Sequence, residues 1–121
     1  MRVVTVINKT RGTVIGDRIK VAETSLTRMF GLLGRRGLDD GEGLWISPSS
    51  GVHTIGMKFP IDVVALDKEL RVVKLWPRLV PYRVTSVSLK IRSVIELGAG
   101  RIDYSDVRIG DLMQFVESAA T

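Results

Sequence analysis

The sequence predicts an α+β domain, mainly β, in which a curled antiparallel sheet or partly open barrel is covered by one short helix. Three observations carry this. Apolar runs are short, three to six residues, as strands are, and glycine-rich turns separate them. Only one window has a helical period. The 121 residues contain no linker, repeat or low-complexity run, so residues 1–121 form one domain.

Val3 to Ile7 reads as a strand, and Asn8 to Gly12 as a turn. Thr13–Ile15 and Arg18–Val21 read as two strands of a hairpin about Gly16-Asp17. Leu26, Met29, Phe30 and Leu33 fall on one helical face. Thr24 or Ser25 caps that helix, Gly34 ends it, and Arg28 and Arg35 flank it. The acidic GLDDGEG run, Gly37–Gly43, lacks the ligand periodicity of a calcium loop and reads as a surface turn. Leu44–Ile46 is a strand ending at Ser47-Pro48. Ile61–Leu66 and Arg71–Trp76 form an antiparallel hairpin about Lys68-Glu69. Pro77 and Pro81 mark a bend or an edge. Ser86–Leu89, Ser93–Leu97 and Leu112–Val116 complete the strands.

Composition narrows the function classes. Without cysteine there is no disulfide, thiolate nucleophile or thiolate metal site, which fits a cytoplasmic protein. No window approaches the roughly 18 apolar residues of a membrane helix, and the first residues lack a signal-peptide core. The net charge of +5 is concentrated: Lys68 to Arg92 holds seven basic residues and one acid. Lys74, Trp76, Arg78, Tyr82 and Arg83 therefore form the alternative nucleic-acid stripe, cations interleaved with rings. The simpler reading is a sheet edge whose cations deter aggregation.

Taken in order, RMFGLLGR, EGLWI, GVHTIGMKFPIDVVALD, SVIELGAG and RIGDLMQF resemble an uncharacterised prokaryotic family, domain of unknown function one-nine-two. The resemblance runs from about Val21 to Val116 and implies a β-rich single domain without agreed catalytic residues. Family members often have proline where Gly98 stands and a bulky aromatic where Ile55 or Gly56 stands.

The segment Gly51–Asp67 supplies the candidate site: His53, Met57, Lys58, Phe59 and Asp62, with Trp45 at its rim. His53 titrates near neutrality. Asp62 sits in an apolar run and needs partners, because an isolated buried carboxylate is costly. Its natural partners are His53, Lys58 or backbone N–H groups of the loop before Phe59. Two readings stand open. Asp62 locks the Gly51–Pro60 loop, or it pairs with His53 for acid–base work in a hydrolase or isomerase. No nucleophile elbow, zinc ligand set or nucleotide loop accompanies them. His53 with Met57 and Met113 suits soft copper, but such methionines are usually core filler, so no metal, cofactor or catalytic residue is assigned. The leading expectation is a non-enzymatic binding or accessory domain taking a small anionic ligand with Lys58, Arg78 or Arg83.

Overall fold

A computed structural model describes residues 2–23, 35–51, 57–85 and 87–117. The helix expected around Leu26, Met29, Phe30 and Leu33, with its caps, lies outside the described residues, as does His53.

The described chain is β1 (Val3–Asn8), β2 (Thr13–Ala22), β3 (Glu42–Ile46), β4 (Ile61–Leu66), β5 (Val72–Leu79), β6 (Ser93–Gly98), α1 (Arg101–Ser105) and β7 (Met113–Glu117). The strands form one seven-stranded sheet in the order β5-β4-β6-β3-β2-β1-β7. Every pairing is antiparallel except β2 with β3. β5 and β7 end the strand order, yet they meet. The Val72 N–H donates to Asp111 O, and the Met113 N–H to Leu70 O, each at 2.9 Å. The sheet is therefore a curled, partly open barrel, as expected, and its twist brings the two edges together.

Asp111 latches this seam. It is 2% exposed, and one of its oxygens, Oδ2, accepts hydrogen bonds from Asn8 Nδ2 (2.8 Å), Arg11 Nε (2.8 Å) and the Arg108 N–H (2.9 Å). Burial alone would raise its pKa, but these donors outweigh burial and hold it below the ordinary carboxylate range. Asp111→Ala leaves the fully buried Asn8 amide without this acceptor and is expected to cost about 3 kcal/mol in urea denaturation at neutral pH. Because the folded pKa is depressed, this stabilisation is complete above the unfolded value of about 4 and is lost as pH falls through the folded value.

The period-two alternation of the strands divides the core. Val64, Leu66, Ile95, Leu97, Ile19 and Val21 face one side of the sheet, with Ile102 of α1 packed among them. Ile61, Val63, Ala65, Val94, Leu44 and Ile46 face the other. β4 and β6 are the central strands of this double burial, which is why both read as nearly continuous apolar runs.

Two expectations need correction, and one element is new. Gly16-Asp17 is no hairpin turn: β2 runs through it as one ten-residue strand. Gly16 is needed there because a Cβ would lie 2.6 Å from Ile19 Cδ1 and 2.9 Å from Gly41 O. The expected strand at Ser86–Leu89 is not formed over Val87–Leu89. There the chain turns, with Ile91 N–H donating to Ser88 O. The helix α1 has no counterpart among the sequence expectations. The β4–β5 hairpin forms as expected, its turn tied by Asp67, whose Oδ1 accepts the N–H groups of Glu69 and Arg71. β5 continues through Pro77 to Leu79, which an edge strand tolerates.

Candidate ligand site

Asp62 is fully buried, and its carboxylate accepts three backbone N–H groups: Arg78 (2.9 Å) and Gly100 (3.1 Å) on Oδ1, Ile102 (2.7 Å) on Oδ2. Of the partners expected from sequence, His53 and loop residues 52–56 lie outside the described residues. Among the described residues Asp62 ties β4 to β5 and to the Gly98–Ile102 turn. Gly100 is the N-cap of α1, has φ 93° and carries no capping side chain. Asp62 supplies that missing cap from across the fold, satisfying N–H groups that a helix start leaves open and placing negative charge at its positive end.

The turn so held forms one wall of a cleft of about 320 Å3. Ala99, Gly100, Arg101 and Tyr104 line this wall, and residues 38–42 line the other, with Gly98 between them. Tyr104 is 79% exposed, and the Arg101 guanidinium lies over its ring at 4.6 Å. Arg101 Nε donates to Ile15 O, which fixes the cation in place. On the opposite wall Glu42 accepts the Asp39 N–H (2.9 Å) and is paired with Arg35 at 3.1 Å. The Asp39 N–H, more than the opposing burial or the Arg35 guanidinium, holds its pKa down.

The other expected site residues that are described do not converge. Trp45 lies on the Asp62 side of the sheet, stacked on Phe115 at 3.8 Å. Met57 and Phe59 pack on the opposite face, with Val63 and Ile61. Lys58 is exposed. The sheet thus separates Asp62 and Trp45 from Met57 and Phe59. Of the alternative stripe, Lys74, Trp76 and Arg78 lie on the edge strand β5, with Tyr82 and Arg83 exposed in the loop beyond it. The Lys74 ammonium lies 5.8 Å from the Trp76 ring centroid, an intramolecular cation–π contact.

Sequence reasoning passed over Glu96. It is 4% exposed, and no group among the described residues donates a hydrogen bond to its carboxyl. Burial raises its pKa to about 7. Register places it between Leu44 of β3 and Val63 of β4, on the Met57 face. The signal was present in the sequence: a lone acid inside the apolar run Val94–Leu97.

The model of the uncharacterised ACR family, domain of unknown function 192, matches residues 6–115. The chain belongs to that family. A UPF0127 protein of Thermococcus sibiricus is 34% identical over 110 residues, covering 87% of this chain and 70% of that protein. The fold is shared with a protein of unknown function from Novosphingobium aromaticivorans (TM-score 0.77, 25% identity, 93% of this chain and 83% of that one). It is shared too with a candidate transcription regulator from Sinorhizobium meliloti (TM-score 0.79, 20% identity, 94% and 92%). At that identity the second likeness shows the fold alone. The family is one of unknown function, and neither these relatives nor the described structure supports the nucleic-acid or the hydrolase alternative. Among the described residues no helix is long and apolar enough to cross a membrane.

Proposed function

We propose that this chain is a non-enzymatic binding or accessory domain whose small-ligand site is the cleft between residues 38–42 and the Gly98–Tyr104 turn. One observation carries the reading. Asp62, the acid best placed by sequence for catalysis, is buried and occupied by three amide groups, and what those bonds shape is the wall of this cleft. A carboxylate so engaged is a scaffold rather than a proton carrier. The cleft's volume is at the small end of ordinary ligand sites. Its aromatic lip, fixed guanidinium and backbone floor are the mixed polar and apolar lining that such sites use. The cysteine-free composition accords with action in the cytoplasm.

The test is a thermal-shift screen of small molecules against the wild-type protein, Gly98→Leu and Tyr104→Ala. Among the described residues a Cβ on Gly98 would meet only Leu38 O at 3.5 Å and Leu38 Cβ at 3.8 Å, so a side chain there enters the cleft without a close backbone contact. Ligands that raise the wild-type Tm by roughly 5–10 °C at a hundredfold excess over Kd should leave Gly98→Leu unmoved and shift Tyr104→Ala less. Equal shifts in all three proteins would place the binding elsewhere.

A further inference from the structure

We propose that Glu96 anchors a small protonated amine with an apolar body, which reaches it from the cleft past Leu38. This rests on the cleft reading and names the ligand class. Three buried acids stand in the described core: Asp62, Glu96 and Asp111. Asp62 and Asp111 each accept three hydrogen bonds. Glu96 accepts none among the described residues, although it lies at the centre of the sheet. A buried acid without a partner costs stability, and a cationic ligand is the partner that would offset the cost.

The surroundings favour an ammonium group with a hydrocarbon body. Leu44 and Val63 flank Glu96 in register, and Met57, Phe59 and Trp76 belong to the same apolar face. Aromatic rings receive alkylammonium groups well, and a flexible thioether packs readily against a hydrocarbon body. The charged groups that register assigns to this face are Lys20 and Arg18 on β2, Glu42 with its Arg35, and Lys74 above Trp76. Hydrogen bonds from these groups to Glu96 are absent, so the carboxyl is not already neutralised by them. The route follows from the same strand. Gly98 borders the cleft two residues beyond Glu96, about 7 Å along β6 and on the same face. Leu38 alone among the described residues both lines the cleft and packs against the apolar cluster around Glu96.

The proton balance is simple. Below neutrality the carboxyl is protonated, and binding an ammonium ion forms the ion pair and releases one proton to solvent. Affinity therefore rises with pH until Glu96 is ionised, then levels. Because burial alone sets its pKa near 7, the carboxyl goes from roughly one-tenth to nine-tenths ionised between about pH 6 and 8.

Calorimetric titration with 2-phenylethylamine and its uncharged counterpart 2-phenylethanol separates the outcomes, using the wild-type protein, Glu96→Gln, Glu96→Met and Gly98→Leu. The amine should bind the wild type about tenfold more tightly at pH 8 than at pH 6. Both Glu96 variants should lose at least tenfold in amine affinity at pH 8 and lose its pH dependence, while 2-phenylethanol binds them as it binds the wild type. No amine binding to the wild type, or equal binding of amine and alcohol, overturns the proposal. If Gly98→Leu abolishes amine binding and the Glu96 variants keep it, the anchor is refuted and the cleft reading stands. If the Glu96 variants abolish it and Gly98→Leu keeps it, the anchor stands and the cleft is not its entrance.

Discussion

Asp62→Ala is expected to cost about 3–5 kcal/mol of folding stability, a large part of the 5–15 kcal/mol typical of a domain. The substitution strips acceptors from three backbone N–H groups on separate parts of the chain: Arg78 on β5, Gly100 at the turn and Ile102 in α1. Each orphaned buried donor costs on the order of 1–3 kcal/mol, and water reaching the two partly buried ones lowers the sum. Asp62→Asn should cost less. Its carbonyl can still serve Arg78 and Gly100, while its amide would oppose the Ile102 N–H. Urea denaturation gives both values. Hydrogen exchange should also show faster exchange at Gly100 and Ile102 than in the wild type. A loss below about 1 kcal/mol for Asp62→Ala would mean that these bonds do not hold the turn.

Glu96 should give the second large effect, with a dependence on pH opposite to that of Asp111. Its folded pKa of about 7 lies above the ordinary 4.5 because burial disfavours the charged form. Below pH 4.5 both folded and unfolded chains hold the proton, and Glu96 costs nothing through ionisation. Between pH 4.5 and 7 the unfolded chain releases it while the folded chain keeps it, so stability falls as pH rises. Above pH 7 the penalty levels at about 3 kcal/mol, from 1.36 kcal/mol per pKa unit. Denaturation of the wild type between pH 5 and 8 should show this decline, and Glu96→Met should abolish it. At pH 8 the variant should therefore be more stable than the wild type. Parallel pH profiles for the two proteins would show that Glu96 ionises freely in the folded state.

Much of the fold was legible in residue order because strand signals are local. Val3–Ile7, Leu44–Ile46, Ile61–Leu66 and Ser93–Leu97 each carry a strand pattern, and the structure extends them by two residues at most. What failed depends on contacts distant in sequence. α1 has five residues, no capping side chain of its own and no room for a helical period. The acid that starts it comes from Asp62, 38 residues before Gly100, beyond any local rule. The parallel β2–β3 pair follows from strand order, which the sequence does not display.

The site was legible in part. Asp62 announced itself as a buried acid needing partners, and it has them. Its partners could not be named, since Arg78 and Gly100 approach it only once β5 and β6 flank β4. Trp45 and Met57 fall on opposite faces, which the sequence does not display because period-two counting holds only within a strand. Glu96 carried the same sequence signal as Asp62, a lone carboxyl in an apolar strand, and differs only in what the fold provides for it.

That difference between two buried acids is most directly measured by following the Glu96 carboxyl carbon by NMR from about pH 4 to 9, with and without 2-phenylethylamine. The expected midpoint is near 7 for the free protein and lower with the amine bound. A midpoint in the ordinary range of 4 to 5 that the amine leaves unchanged would contradict it.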